Sequence, residues 1–217
     1  MDPTLSYHSY LEQLTTFATS EEPKSDLIAA KAEYFRLTGD VYEDDKSFEM
    51  RMASFLDYFL FDRIHPDTGK TPAVEYLERI SKEGTGDEVA PFRMFTETLH
   101  SLFEVRKLSK GAVKLREPFS GVDYEVTERR QLAGLEKGDV LEARLIPFNG
   151  HLLFSSAFCY HPRPATKPIL KEIKRRKKKE PERTPKEMAW ECAKMALKVD
   201  RYRQVTVEKI YDFDSKR

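Results

Sequence analysis

Seven bases fall within nine residues, at Lys171, Lys174, Arg175, Arg176, Lys177, Lys178 and Lys179, and Lys167 and Arg183 flank them. Cations at this density bind phosphate backbones by releasing condensed counterions. If six of them met phosphates, binding would weaken ~10³-fold between about 50 and about 200 mM salt. On a helix, consecutive bases would point all round the axis and repel one another, so the run is expected to be exposed and mobile. Aromatic groups on which bases could stack are few: Tyr124, Phe148, Phe154 and Tyr160. Backbone contact with weak sequence preference is therefore expected rather than base reading.

Other chemical patterns fail on spacing. Gly69-Lys70-Thr71 resembles the end of a phosphate-binding loop, but that loop needs Gly at position 64, which is Ile, and a preceding strand. Asp123 with Glu142 and Arg144 has the residue types of a metal nuclease hairpin, with Arg where Lys is usual. Charged residues alternating with apolar ones also describe any half-solvated strand. Arg129 and Arg130 lack the four-residue spacing of cyclic-dinucleotide-binding barrels. Cys159-Tyr160-His161 offers two ligands where a tetrahedral metal needs three or four, and reads as a strand end with a buried thiol. His8, His65, His100 and His151 are scattered, without a nucleophile in context. Asp40, Asp44 and Asp45 miss the alternate spacing of a calcium loop. Phe55, Tyr58, Phe59 and Phe61 sit at helical spacing and read as core. No catalytic residue, metal ligand or cofactor is assigned.

The scaffold changes period near residue 102. Before it, apolar residues recur at helical spacing. Phe48, Met52, Phe55, Leu56 and Phe59 give the widest apolar face, which predicts a central helix. Thr71-Pro72 predicts an N-cap and first helical turn, Gly84-Thr85-Gly86 a stop, and residues 90–101 a fifth helix. After residue 102 the period is two. Five short strands are expected over 102–108, 112–116, 122–128, 140–146 and 151–158, with Asn149-Gly150 as a hairpin turn. Thr184-Pro185 opens a last helix, along which Met188, Cys192, Met195, Val199 and Tyr202 form a stripe. Val205, Val207, Tyr211 and Phe213 alternate and suggest a closing strand.

Charge is segregated although the net charge is zero. Residues 1–62 hold 13 acids and 5 bases, and residues 163–186 hold 3 acids and 11 bases. Either the two ends meet, or the basic end meets an external anion. Hydrophobic residues make up 40%, enough to exclude a fully disordered chain. No apolar run approaches the ~20 residues of a membrane span, and residues 1–4 lack signal-peptide features. Two cysteines cannot build a disulfide framework, so a cytoplasmic location is expected.

Several phrases occur in a familiar order: residues 55–62 (FLDYFLFD), 69–72 (GKTP), 102–105 (LFEV), 113–116 (VKLR), 122–126 (VDYEV) and 138–145 (GDVLEARL). Over about residues 45–158 the chain resembles an uncharacterised family of bacterial proteins with a helical front and a small β module. The resemblance implies no established activity. Some relatives end in a SEC-C-like zinc tail, but Cys159 and Cys192 are the only cysteines here and that tail is absent.

The expected fold class is α+β. A helical domain (1–101) packs on a small five-stranded antiparallel barrel or rolled sheet (102–160). A basic, Pro-containing linker (161–184), with a short helix suggested over 167–179, and a C-terminal helix with the suggested closing strand (185–217) follow. The expected function is non-catalytic nucleic-acid binding through Lys167, Lys171, Lys174, Arg175, Arg176, Lys177, Lys178, Lys179 and Arg183. A protein-interaction adaptor that docks the linker and last helix on an acidic partner is the alternative. A metal-dependent nuclease is the weaker one. No membrane partner is expected.

Overall fold

The computed structural model describes residues 3–21, 24–128 and 134–214. Arg129 and Arg130 therefore lie outside the described residues. Five helices come first: α1 (Pro3–Glu21), α2 (Lys24–Thr38), α3 (Phe48–Phe61), α4 (Pro72–Glu83) and α5 (Gly86–Arg93). The density of aromatics in α3 makes it central, as its pattern predicts. Phe55, Tyr58, Phe59, Leu60 and Phe61 are all buried. They share a core with Tyr34 and Phe35 of α2 and with Phe92 and Phe95. Thr71 caps α4, its hydroxyl accepting from the Val74 amide at 3.4 Å, with Pro72 in the first turn. Gly39 ends α2 at φ +88°, and a Cβ there would lie 3.1 Å from Leu197. Both the left-handed backbone and the close approach favour glycine.

The sheet follows: β1 (Leu99–Ser109), β2 (Ala112–Arg116), β3 (Asp123–Thr127), β4 (Val140–Phe148) and β5 (His151–Tyr160). The expected fifth helix over 90–101 is shorter than predicted. After α5 a 3₁₀ turn (Met94–Glu97) leads directly into β1 at Leu99. Asn149 and Gly150 take φ values of +48° and +77°, so both turn residues are left-handed, as the two-residue hairpin demands.

Strand order is β3-β2-β1-β4-β5 and every pairing is antiparallel. The sheet is open. The edge strands approach, with Thr127 Oγ1 3.2 Å from His151 Nδ1, but no ladder joins them. A closed barrel, one of the two forms expected, is thus not reached. One face packs on itself through Phe103, Val105, Leu115, Leu141 and Phe158. Helices cover the other. As a result every residue of β4 except Pro147 is buried, where period-two alternation predicted a half-solvated strand.

Three helices complete the chain: α6 (Thr166–Lys179), α7 (Pro185–Arg201) and α8 (Val207–Ile210). The basic segment is helical, as suggested over 167–179, but packed rather than mobile. Ile169 and Ile173, one turn apart, pack with Met188, Cys192 and Met195 of α7 and with Leu102 and Val140 of the sheet. The counter-charge needed to hold it comes from Glu172, Glu180 and Glu191. The suggested closing strand is also corrected. Residues 207–210 form α8, which buries Ile210 and, just beyond it, Tyr211.

The acidic and basic halves do meet within the chain, through α7. Arg201 pairs with Asp45 at 2.5 Å, and Lys186 pairs with Asp62. Helix α7 begins with a capping box between Thr184 and Glu187. Thr184→Ala should lower stability by about 1 kcal/mol, read as a lower urea midpoint with an unchanged slope.

Candidate functional site

Strands β1 and β4 present His100, Glu142 and Arg144 to the helix-covered face. His100 stands opposite Arg144, and Glu142 lies two residues along on the same face. Helix α3 lowers Asp57 and, at its C-cap, Asp62 onto them, and α7 adds Lys186 and Trp190.

Arg144 is 2% exposed and organises the cluster. Its Nη2 donates to Asp62, its Nη1 donates to Thr98 Oγ1 at 2.9 Å, and its Nε lies 3.4 Å from Asp57. The guanidinium also sits 5.1 Å from the Phe61 ring centroid. His100 Nε2 is 2.9 Å from Glu142, and its Nδ1 is 3.7 Å from Asp62. Three carboxylates therefore face two permanent cations and one imidazole. Burial pushes the Asp57 carboxyl up, against the pull of Arg144. Burial acts on Asp62 in the same sense, but Arg144, His100 and Lys186 together hold it below the usual range. About 10 Å³ of free space remains among these groups, room for one water at most. The cluster pins the sheet to the helices and admits no substrate.

The nuclease constellation is not assembled. Asp123 stands on edge strand β3, separated from β4 by β2 and β1, and pairs with Arg116 at 3.5 Å. Glu142 Oε1 and the Arg144 guanidinium are taken up in the buried cluster.

Helix α6 sorts the nine predicted contact residues by type. Lys167, Lys171, Lys174 and Lys178 fall at i, i+4, i+7 and i+11, and all four are exposed. They form one stripe about 16 Å long at the helical rise. Ile169, Ile173 and Arg176 occupy the opposite, buried side. Lys179 is also exposed, and Lys177 reaches the Pro118 carbonyl at 3.4 Å. The three arginines turn to carboxylates instead. Arg175 donates to Glu172 and Glu180, both at 2.6 Å. Arg176 donates to Glu172 at 2.8 Å and Glu191 at 2.5 Å, and Arg183 donates to Glu191 at 3.1 Å. Lysines face outward and arginines are used to hold the helix, a division that planar, bidentate guanidinium favours.

Two concavities lie on one side of the stripe, and both are lined by Glu172, Arg175 and Phe213. Between α6 and α7 lies a groove of about 540 Å³, where Arg175, Arg176, Arg183, Lys194 and Lys198 outnumber Glu172, Glu180 and Glu191. Toward the start of α6, Glu208, Asp212 and Asp214 line a second cavity of about 380 Å³ together with Lys167 and Lys171.

Burial raises the Glu172 carboxyl, but hydrogen bonds from Arg175 and Arg176 outweigh it and hold the group below its ordinary value of 4.5. A lowered native value means stability that is present above 4.5 and lost as the pH falls through the native value. The urea midpoint should therefore drop below that pH, and Glu172→Gln should flatten this part of the profile.

Sequence reasoning did not find Asp57, Asp62, His100, Arg144 and Lys186 as a group. One local signal existed: Asp57 and Arg144 are charges inside apolar runs, FLDYFLF and LEARLI.

Fold and site define an α+β protein with a closed ionic core and an exposed cationic helix. The chain belongs to a family of unknown function, DUF7986, whose model matches residues 9–195. The match takes in α1 from Ser9, α2 to α5, the sheet, α6 and α7 as far as Met195. No curated protein and no solved structure matches the chain. Among the described residues no helix is long and apolar enough to cross a membrane.

Proposed function

We propose that this protein is a non-catalytic, cytoplasmic binding protein that contacts nucleic-acid backbones through α6. The observation that carries the reading is the stripe of Lys167, Lys171, Lys174 and Lys178, exposed on a helix whose arginines are already paired. Lysine is a mobile point charge that suits phosphates at variable positions, and counterion release supplies the binding free energy. Lys177 and Lys179 extend the charge at the helix end. Both cysteines are free thiols, in keeping with a reducing compartment. The test is fluorescence anisotropy of labelled single- and double-stranded DNA and RNA between about 50 and about 300 mM salt. Binding that weakens steeply with salt supports the reading, and no binding at the lowest salt overturns it.

The adaptor reading keeps one supporting observation. Helix α7 already uses Lys186 and Arg201 to dock on acidic groups of the helical part, so cation-on-carboxylate docking is a mode this chain uses. In that reading the α6 lysines meet an acidic protein. Binding of a polyglutamate probe by a protein that ignores every nucleic acid would favour it.

A further inference from the structure

Glu142 and Cys159 are directly paired across β4 and β5, so their side chains share a face. The backbone continues that ladder one step, with the His161 amide on the Val140 carbonyl at 3.3 Å, and this brings His161 to the same face two residues after Cys159. One carboxylate oxygen, one sulfur and one imidazole nitrogen thereby lie within 4.8 Å of one another. Sequence alone offers two ligands here, and strand register supplies the third.

We propose that Glu142, Cys159 and His161 bind a divalent transition-metal ion, Zn²⁺ by the chemistry of the donor set. Mixed sulfur, nitrogen and oxygen donors suit Zn²⁺, whereas Mg²⁺ and Ca²⁺ take oxygen alone. Two buried polar atoms have no hydrogen-bond partner at this point: Glu142 Oε2 and His161 Nε2. Their other atoms are engaged. Glu142 Oε1 faces His100 Nε2 at 2.9 Å, and His161 Nδ1 faces the Tyr211 hydroxyl at 2.8 Å. Such outer contacts orient a ligand and leave its free atom for the metal.

Burial pushes His161 down to about 4, which leaves a neutral imidazole able to donate its lone pair, but it also raises the Cys159 thiol, so metal binding must displace the sulfur's proton. A thiolate, a carboxylate and Zn²⁺ sum to zero charge, the sum that a buried site tolerates best. Ligand atoms of a tetrahedral zinc stand about 3.5 Å apart, so side-chain shifts of about 1 Å would close the set. The Arg51 guanidinium acts on Cys159, and its Nη2 is held by the Thr38 carbonyl at 2.5 Å. Cys159 also borders a cavity of about 280 Å³, whose walls carry Asp200 together with Lys46 and Arg51.

The experiment uses the purified full chain after chelator treatment. Titration with Co²⁺ should give a thiolate-to-metal charge-transfer band that saturates at one equivalent and is displaced by Zn²⁺. Cys159→Ser should abolish the band, and Tyr211→Phe, which keeps the ring but frees His161, should weaken binding about 10-fold or more. In the wild-type chain Zn²⁺ should protect Cys159 from alkylation, mapped by mass spectrometry, and this arm holds even if a variant fails to fold. Absence of the band, a band unchanged in Cys159→Ser, or alkylation of Cys159 unaffected by Zn²⁺ would each overturn the proposal. None of these readouts depends on nucleic-acid binding.

Discussion

Changing Lys167, Lys171, Lys174 and Lys178 together to Gln should cut the salt dependence of nucleic-acid binding to about a third. With six phosphate contacts, the four stripe lysines plus Lys177 and Lys179, affinity falls ~10³-fold from about 50 to about 200 mM salt. With two contacts left it falls only about 10-fold over the same range. Single- and double-stranded probes of any sequence should respond alike, because contacts to the phosphate backbone carry no sequence information. The folded state should hardly notice. All four side chains are exposed on the side of α6 away from Ile169 and Ile173, and surface changes of this kind stay within about 0.5 kcal/mol each. Arg176→Gln is the informative contrast. It removes a buried partner of Glu172 and Glu191, so it should lower the unfolding midpoint and leave the salt slope nearly intact. If the lysine variant binds with wild-type affinity and slope, α6 is not the contact surface.

Arg144→Met should be the most damaging single substitution in the ionic core. It leaves Asp62 and Asp57 buried and short of their principal cation. Breaking a buried pair from one side typically costs about 3–5 kcal/mol, a large share of a domain's total of about 5–15. Lys186→Met should cost far less, because Lys186 is 38% exposed and Arg144 still holds Asp62. A double-mutant cycle of Arg144→Met with Asp62→Asn should show coupling above about 1 kcal/mol in urea unfolding. Additive effects would mean that packing on Phe61, rather than charge, explains the burial of Arg144. Replacing the pair by apolar residues of similar volume should recover much of the loss, since the charged pair was costly to desolvate in the first place.

What could be read from residue order alone was whatever is local. The aromatic face of α3, the Thr71-Pro72 and Thr184-Pro185 starts, the Asn149-Gly150 turn and the change from helical to strand period each depend on neighbours a few residues away, and each reappears in the structure. The α+β class follows from them. The boundary errors have distant causes. Residues 99–101 join β1 because Leu145, Arg144 and Ala143 pair with them.

Tertiary structure alone decided what the charged residues do. Alternation in β4 suggested that Glu142 and Arg144 face water, but α3 and α7 cover that face, and the low dielectric then forces each charge to find a partner. Those partners, Asp57, Asp62, His100 and Lys186, come from elements up to 124 positions apart in sequence, so no spacing rule could assemble them. The same holds for Glu142, Cys159 and His161, which meet through strand register. On α6, composition announced a dense positive charge, and the fold divided it. The buried isoleucine seam set the helix rotation, the glutamates of α6, α7 and the turn between them drew in the arginines, and four lysines were left in line on the open side.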